Sequence, residues 1–332
     1  RINMATYKSL KGQPIQVLAA DPPAPVEGQV WVVANPGAAS VMKGYRLGAG
    51  TWATGGVRNN ASGALGGSII GTQTSAVAAG GNISGTLQSN AETYNGSAWA
   101  EGNNLNTARR SLQAAGLESA GLVFGGDTSA NSTGFTNLTE TYDGTNWSEA
   151  NELNTARGAG SGAGLSTAAV AIGGSTGPGT PNYSGVVENW NGSSWTNGTS
   201  VNTTRIRGGA SGIQTSLLFF GGTTGSNSAA TELWNGSSWT EVNDLNSARA
   251  YVGSAGTDST AALIFGGSSV NTETWDGTSW TEVNNLATSQ ADNFGVVSGT
   301  NSLALSSGGE SSPNARSEEW TRALATVSFD ID

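Results

Sequence analysis

ETYNGSAW at residues 92–99 returns as ETYDGTNW at 140–147, ENWNGSSW at 188–195, ELWNGSSW at 232–239 and ETWDGTSW at 273–280. The closing tryptophans, Trp99, Trp147, Trp195, Trp239 and Trp280, follow one another by 48, 48, 44 and 41 residues. A period of this size suits a four-stranded propeller blade. Inside each copy, the aromatic-Asn/Asp-Gly step signals a hairpin. The expected geometry is a type I′ turn, which needs two residues at positive φ. The aromatic residue and the second Trp then flank the turn and anchor one strand each.

Outward from this core, five residues separate each Trp from LNTAR at 105–109 and 153–157, VNTTR at 201–205 and LNSAR at 245–249, with LATSQ at 286–290 as a degraded copy. A run of small residues and a Gly-led turn come next. A short apolar strand then ends in Gly-Gly: LVFGG at 122–126, LFFGG at 218–222 and LIFGG at 263–267, with AVAAGG (76–81), VAIGG (170–174) and LALSSGG (303–309) as further copies. Short apolar runs bounded by turns suit strands buried on both faces. The second glycines, Gly126, Gly174, Gly222 and Gly267, suit bends where another backbone comes close.

Four strands per repeat follow: an inner strand after the Arg, a second ending at Gly-Gly, a third carrying Glu-x-Tyr/Trp, and an outer strand beginning near the second Trp. One repeat alone leaves its faces uncovered, so the blades must stack to bury them. The Gly-Gly pair and the Glu-x-aromatic element each occur six times, but the last copy, Glu318 to Trp320, lacks the turn and the second Trp. Trp52 stands unpaired at the other end. The simplest closure lets the Trp52 strand complete the blade of residues 290–322, leaving no exposed sheet edge. A second closure stays open, in which residues 323–331 supply that outer strand and the N-terminal strands form an extra sheet. The expected fold is all-β: a six-bladed β-propeller of four-stranded antiparallel blades with an N-terminal extended arm. Residues 1–42 form the arm, 43–322 the propeller closed by the Trp52 strand, and 323–332 a C-terminal strand or tail.

Composition narrows the function. Hydrophobic residues make up 36% and charged residues 11%, which argues against a disordered chain. The net charge is −10 and no basic stripe is present, so neither nucleic acid nor an anionic membrane surface is an expected partner. No apolar run reaches the roughly 20 residues needed to cross a bilayer, so membrane insertion is not expected. There is no Cys and no His, which removes disulfides and thiolate or imidazole metal sites. Asp143, Asp276 and the Asn-rich loops could hold calcium, but no EF-hand spacing exists, and no cofactor is expected.

The Gly-Gly, Tyr/Trp and spaced-Trp pattern resembles the kelch repeat over roughly residues 52–320. That resemblance implies architecture and little about activity, since propellers host many functions. Kelch relatives of the galactose-oxidase type hold copper through imidazoles and a Tyr–Cys cross-link, which this composition excludes. A narrower resemblance lies in MATYKSLKGQPIQVLAADPPAPVEGQVW (4–31) and the following KGY (43–45). This stretch, and repeats such as TETYDGTNWSEANELNTAR (139–157), are similar to virion structural proteins of tailed bacteriophages, especially those of aquatic bacteria. It implies a non-enzymatic tail, tail-fibre or decoration component located in the phage particle. The arm would contact other virion proteins, and host-surface polysaccharide is a further candidate partner. A host polysaccharide-binding adhesin is the alternative; a cellular kelch interaction module or a sialidase-like enzyme is less favoured.

Two repeated positions could carry chemistry. Arg109, Arg157, Arg205 and Arg249 could form a sialidase-like ring for an anionic glycan, or brace adjacent blades through carbonyls and the repeated glutamates. Repetition at one position favours bracing, because a catalytic site breaks symmetry. Glu92, Glu140, Glu188, Glu232 and Glu273 recur too, but equivalent blade positions lie too far apart to flank one glycosidic bond. The candidate binding loops are the variable ones after Gly-Gly. The longest, 127–139 and 175–187, carry Phe135 and Tyr183 as their large aromatics. Variable loops on a rigid scaffold are where recognition is usually placed.

Overall fold

The structure is a computed structural model describing residues 16–24, 28–33, 41–59, 68–129, 131–177, 182–267, 269–289, 294–295, 299–308 and 316–329. The described residues form seven four-stranded sheets in a propeller-like, all-β arrangement. The chain divides into two compact units, Arg1–Gly50 with Arg322–Asp332, and Thr51–Thr321.

The larger unit holds six of the sheets. Five consist of consecutive strands, and each runs inner, second, third, outer as the repeat predicts. In the third sheet, Ser161–Leu165 pairs with Ala168–Ile172, which pairs with Val187–Trp190, which pairs with Trp195–Asn197, all antiparallel. The outer strands begin on the repeat tryptophans themselves. The remaining sheet is shared between distant segments. Thr51–Thr54 pairs with Ser317–Thr321, placing Trp52 opposite Trp320.

The small residues of the inner strands have a steric cause. A Cβ on Gly162 would lie 2.2 Å from the Ala114 carbonyl oxygen, and one on Gly256 would lie 2.0 Å from Ser211 Oγ. Inner strands of neighbouring sheets therefore meet nearly backbone to backbone, and hydroxyls stitch them. Ser161 donates to the Gly208 carbonyl at 2.8 Å and Ser254 to the Ala210 carbonyl at 3.1 Å. Larger side chains of the second strands, such as Phe124, Phe219, Phe220 and Phe265, fill the space between sheets and are fully buried.

The Asn/Asp-Gly hairpins differ from the expected type I′ turn. Tyr94 pairs with Trp99, which leaves a four-residue connection rather than a two-residue one. Positive φ falls on Gly96 alone, at 90°, while Asn95 Oδ1 accepts the N–H groups of Ser97 and Ala98 at 3.0 and 2.9 Å. Asn or Asp is selected here as a hydrogen-bond acceptor, not for its tolerance of the left-handed region.

The smaller unit corrects the expectation of an extended arm. Gln16–Leu18, Val30–Val33, Val41–Leu47 and Leu324–Phe329 form one sheet in that order. Its first pair is parallel and the others are antiparallel. The boundary placed at residue 42 falls inside the strand Val41–Leu47. The segment after Asp21 is tied down, since Asp21 accepts from Trp31 Nε1 at 3.2 Å and Lys43 Nζ at 3.0 Å, and Tyr45 donates to the Pro22 carbonyl at 3.1 Å. Trp31 is fully buried and lies 4.6 Å from the Tyr45 ring. The tail strand thus joins the N-terminal strands, leaving the place beside Ser317–Thr321 to Thr51–Thr54. Of the N-terminal resemblance, residues 4–15 and 25–27 lie outside the described residues.

Candidate functional site

The repeated arginines and glutamates meet. Arg109 faces Glu140 at 3.1 Å, Arg205 faces Glu232 at 2.8 Å, Arg249 faces Glu273 at 2.7 Å, and Arg157 pairs with Glu188. All eight residues are buried. Burial lowers each guanidinium's pKa, and the facing carboxylate opposes that shift. Each arginine also bridges two sheets. Its carbonyl receives the N–H of the previous sheet's second glycine, at 2.9 Å for Gly81 to Arg109 and 2.8 Å for Gly126 to Arg157 and Gly222 to Arg249. Its side chain enters the next sheet, where Arg157 donates to the carbonyls of Gly173 and Val186 at 3.2 and 2.7 Å.

Those glycines must be glycines. Gly126, Gly174 and Gly222 have φ of 108°, 104° and 93°, and Gly267 has 84°. A Cβ at any of the four would come within 2.9 Å of a carbonyl oxygen.

A third participant went unread in the sequence. The Asn of LNTAR donates its backbone N–H to the same glutamate, at 2.8 Å for Asn106 to Glu140 and 2.7 Å for Asn154 to Glu188. Asn202 and Asn246 repeat the bond at 2.7 and 2.8 Å. The signal is the Asn in second place of LNTAR, VNTTR and LNSAR. The two remaining sheets keep the glutamate and its backbone N–H donor, one from an Asn and the other from an Ala. Asn59 donates to Glu92 at 2.7 Å, and Ala287 donates to Glu318 at 2.8 Å. Arg58 is buried near Glu92, and burial lowers its pKa to about 10. Every one of these carboxylates is engaged by backbone N–H, and the four paired arginines are neutralised.

The tryptophans form a second repeated layer. Third-strand and outer-strand rings pair within each sheet: Tyr94–Trp99, Tyr142–Trp147, Trp190–Trp195, Trp234–Trp239 and Trp275–Trp280, at 4.7–5.4 Å. Trp52 and Trp320 make the same pair across the shared sheet, at 5.3 Å. Outer-strand indoles also reach the neighbouring sheet. Trp195, Trp280, Trp52 and Trp99 donate Nε1–H to the hydroxyls of Thr139, Thr231, Thr272 and Ser317 at 3.0–3.1 Å. Where position 139 has its counterpart in Ala91, the indole N–H of Trp147 is buried without an acceptor.

The candidate loops are built differently. Asp127 and Ser175 bridge to Phe135 and Tyr183, and both aromatics are half-buried. A Cβ on Gly158 would lie 2.8 Å from the Phe135 ring, so Phe135 rests on the next sheet's backbone and is not a free probe. Asp127 is taken up inside its own loop, by Arg110 at 3.1 Å and by the N–H groups of Ser129 and Gly134 at 3.0 and 3.1 Å.

Beside these loops runs a row that symmetry does not keep constant. Two residues after each paired arginine, Ser111, Ala159, Arg207 and Tyr251 have φ of 54°, 57°, 61° and 60°. The left-handed region costs an L-residue about 1–2 kcal/mol. The cost is borne for backbone continuity, since Ala159 donates to Ser111 at 3.0 Å, Arg207 to Ala159 at 2.8 Å and Tyr251 to Arg207 at 2.9 Å. The Arg207 guanidinium lies over the Tyr251 ring, 4.2 Å from its centroid.

Among the described residues, no group of three or more carboxylates is arranged to hold a metal ion. No protein-family profile matches the chain, and no curated protein does.

Proposed function

We propose that the chain is a non-catalytic structural component of a tailed-phage particle, built on a six-bladed kelch-like propeller. The observation that carries the non-catalytic reading is the Arg–Glu bridge. Within the repeat, the arginines able to clamp a carboxylate and the glutamates able to exchange a proton are paired with each other in consecutive sheets. A reaction needs one place unlike its neighbours, and these positions are alike. Six blades closed by the Thr51–Thr54 strand are supported by the Trp52–Trp320 pairing and by the bond from Trp99 to Ser317. That bond ties the first of the six sheets to the last.

The particle location is supported by the resemblance of residues 4–31 and of the repeats to virion proteins. In this role the N-terminal segment contacts other virion proteins and the propeller faces a neighbour or the host. An antibody to the chain should label purified particles, and mass spectrometry should recover its peptides in constant ratio to the major virion protein. Absence from particles carrying all other structural proteins would overturn the reading. A host-polysaccharide adhesin is the second reading, favoured by one observation: the Arg207–Tyr251 pair breaks the repeat on the loop-bearing end.

A further inference from the structure

The left-handed row is a scaffold position whose backbone geometry recurs while its residue type changes from sheet to sheet. Ser111 and Ala159 show what the fold itself requires, a small residue at a strained φ. Placing Arg and Tyr there adds bulk where bulk is least favoured. Strain of this kind persists at binding and catalytic positions.

The surroundings indicate what the pair meets. Antiparallel pairing within each sheet puts the start of the inner strand at the same end as the loop after Gly-Gly. Ile206, which precedes Arg207, bridges to Thr223, and Thr223 bridges to Asn227. Arg207 and Tyr251 are half-buried, with part of each surface open to solvent. The arginines before them in the repeat face carboxylates, but among the described residues no carboxylate pairs with Arg207. The described parts of the loops at 127–139, 175–187 and 223–230 carry hydroxyls and amides, with Asp127 as their carboxylate, already held by Arg110. Among the described residues, a chain of net charge −10 thus keeps a cation without a carboxylate partner on this end. Stacking on Tyr251 fixes the guanidinium plane, leaving its N–H edge set for a two-pronged carboxylate bond.

We infer that Arg207, held flat on Tyr251, binds the carboxylate of an acidic sugar in a surface polysaccharide, with the neighbouring loop amides and hydroxyls taking the sugar hydroxyls. This rests on the reading above that the propeller faces outward from a particle. It does not require catalysis, and it assigns no role to the four bracing arginines.

The test uses the full chain and three immobilised probes: polygalacturonate, neutral dextran and poly-glutamate. Wild type should retain polygalacturonate, ignore dextran and bind poly-glutamate at least tenfold more weakly. Arg207→Gly should lose at least tenfold in polygalacturonate affinity while its melting temperature stays level or rises, because glycine relieves the left-handed strain. Arg207→Gln should lose binding similarly, and Tyr251→Ala should lose three- to tenfold. The inference is overturned if wild type ignores polygalacturonate, if Arg207→Gly binds like wild type, or if poly-glutamate binds equally well. It is overturned also if Arg207→Gly melts well below wild type, for then the side chain serves the fold. Antibody labelling of particles separates the two readings. Labelled particles whose chain ignores polygalacturonate sink this inference alone, whereas Arg207-dependent binding by a chain absent from particles sinks the particle assignment alone.

Discussion

The arginines at 109, 157, 205 and 249 and the left-handed residues at 111, 159, 207 and 251 run through the same four sheets, two positions apart. In the first row the side chain is constant, buried and paired. In the second the backbone is constant and the side chain changes from Ser to Ala to Arg to Tyr. The difference shows what a repeat preserves. An atom that bonds to the neighbouring sheet is fixed in every copy, because changing it breaks an interface. An atom that faces solvent is released, even when its own backbone is strained. In the first row each arginine links a glycine N–H behind it, taken by its own carbonyl, to a carboxylate ahead, taken by its guanidinium. In the second, the link that recurs is made by N–H and carbonyl groups.

Opposite signs of mutational effect should separate the rows. Arg157→Ala leaves Glu188 buried without its cation and should cost about 3–5 kcal/mol in urea unfolding. A paired apolar replacement, Arg157→Met with Glu188→Leu, should recover most of that loss, since desolvation of both charges is removed together. Ala159→Gly should instead stabilise the protein by about 1 kcal/mol, read as a higher melting temperature, because only the backbone matters there. A loss on Ala159→Gly as large as that of Arg157→Ala would erase the contrast.

A third change tests whether the scaffold rule extends to the tryptophan layer. Ala91→Thr places a hydroxyl where Thr139, Thr231, Thr272 and Ser317 already accept an indole N–H from the next sheet. Trp147 would gain its missing acceptor, and stability should rise by about 1 kcal/mol. The smallest effect is expected at a solvent-facing turn. The N–H groups of Asn146 and Thr145 hold the Asp143 carboxyl below the usual carboxylate range. That contribution is present above the ordinary carboxylate pKa and is lost as pH falls through the lowered folded value. Asp143→Asn should remove this acid-dependent part of the melting curve, since Asn95, Asn191 and Asn235 hold the same turn with an amide.

Much of this was legible from the repeated octapeptide. The order of four strands, the Tyr94–Trp99 style of pairing and the recurrence of the arginines, the glutamates and the glycines at 126, 174, 222 and 267 all follow from positions that repeat. What could not be read follows from the same logic. The row at 111, 159, 207 and 251 shares no residue type, so a pattern of side chains cannot reveal a pattern of φ. The turns after Tyr94 and Tyr142 differ from type I′ because Asn-Gly and Asp-Gly serve two geometries, and only the pairing of the aromatic with the second Trp tells them apart. The small residues before Gly116 and Gly164 were visible as a run, but their reason, contact between inner strands of adjacent sheets, needed the third dimension. The strand Leu324–Phe329 lacks the repeat altogether, and nothing in its residues announces Val41–Leu47 as its partner.

The proposed closure of the ring rests on the pairing of Thr51–Thr54 with Ser317–Thr321, whose opposed residues Thr51 and Thr321 lie 270 positions apart in the sequence. The chain has no cysteine, so Thr51→Cys with Thr321→Cys introduces a single possible disulfide. The two residues are direct partners across antiparallel strands, where opposed Cβ atoms approach to about 4.5–5.5 Å and little movement is needed to form the bond. Mild oxidation of the native protein should give a complete intramolecular disulfide, seen as a faster band on a non-reducing gel and a higher urea midpoint. Two free thiols after oxidation of the folded protein, or cross-links only between molecules, would contradict the closed ring.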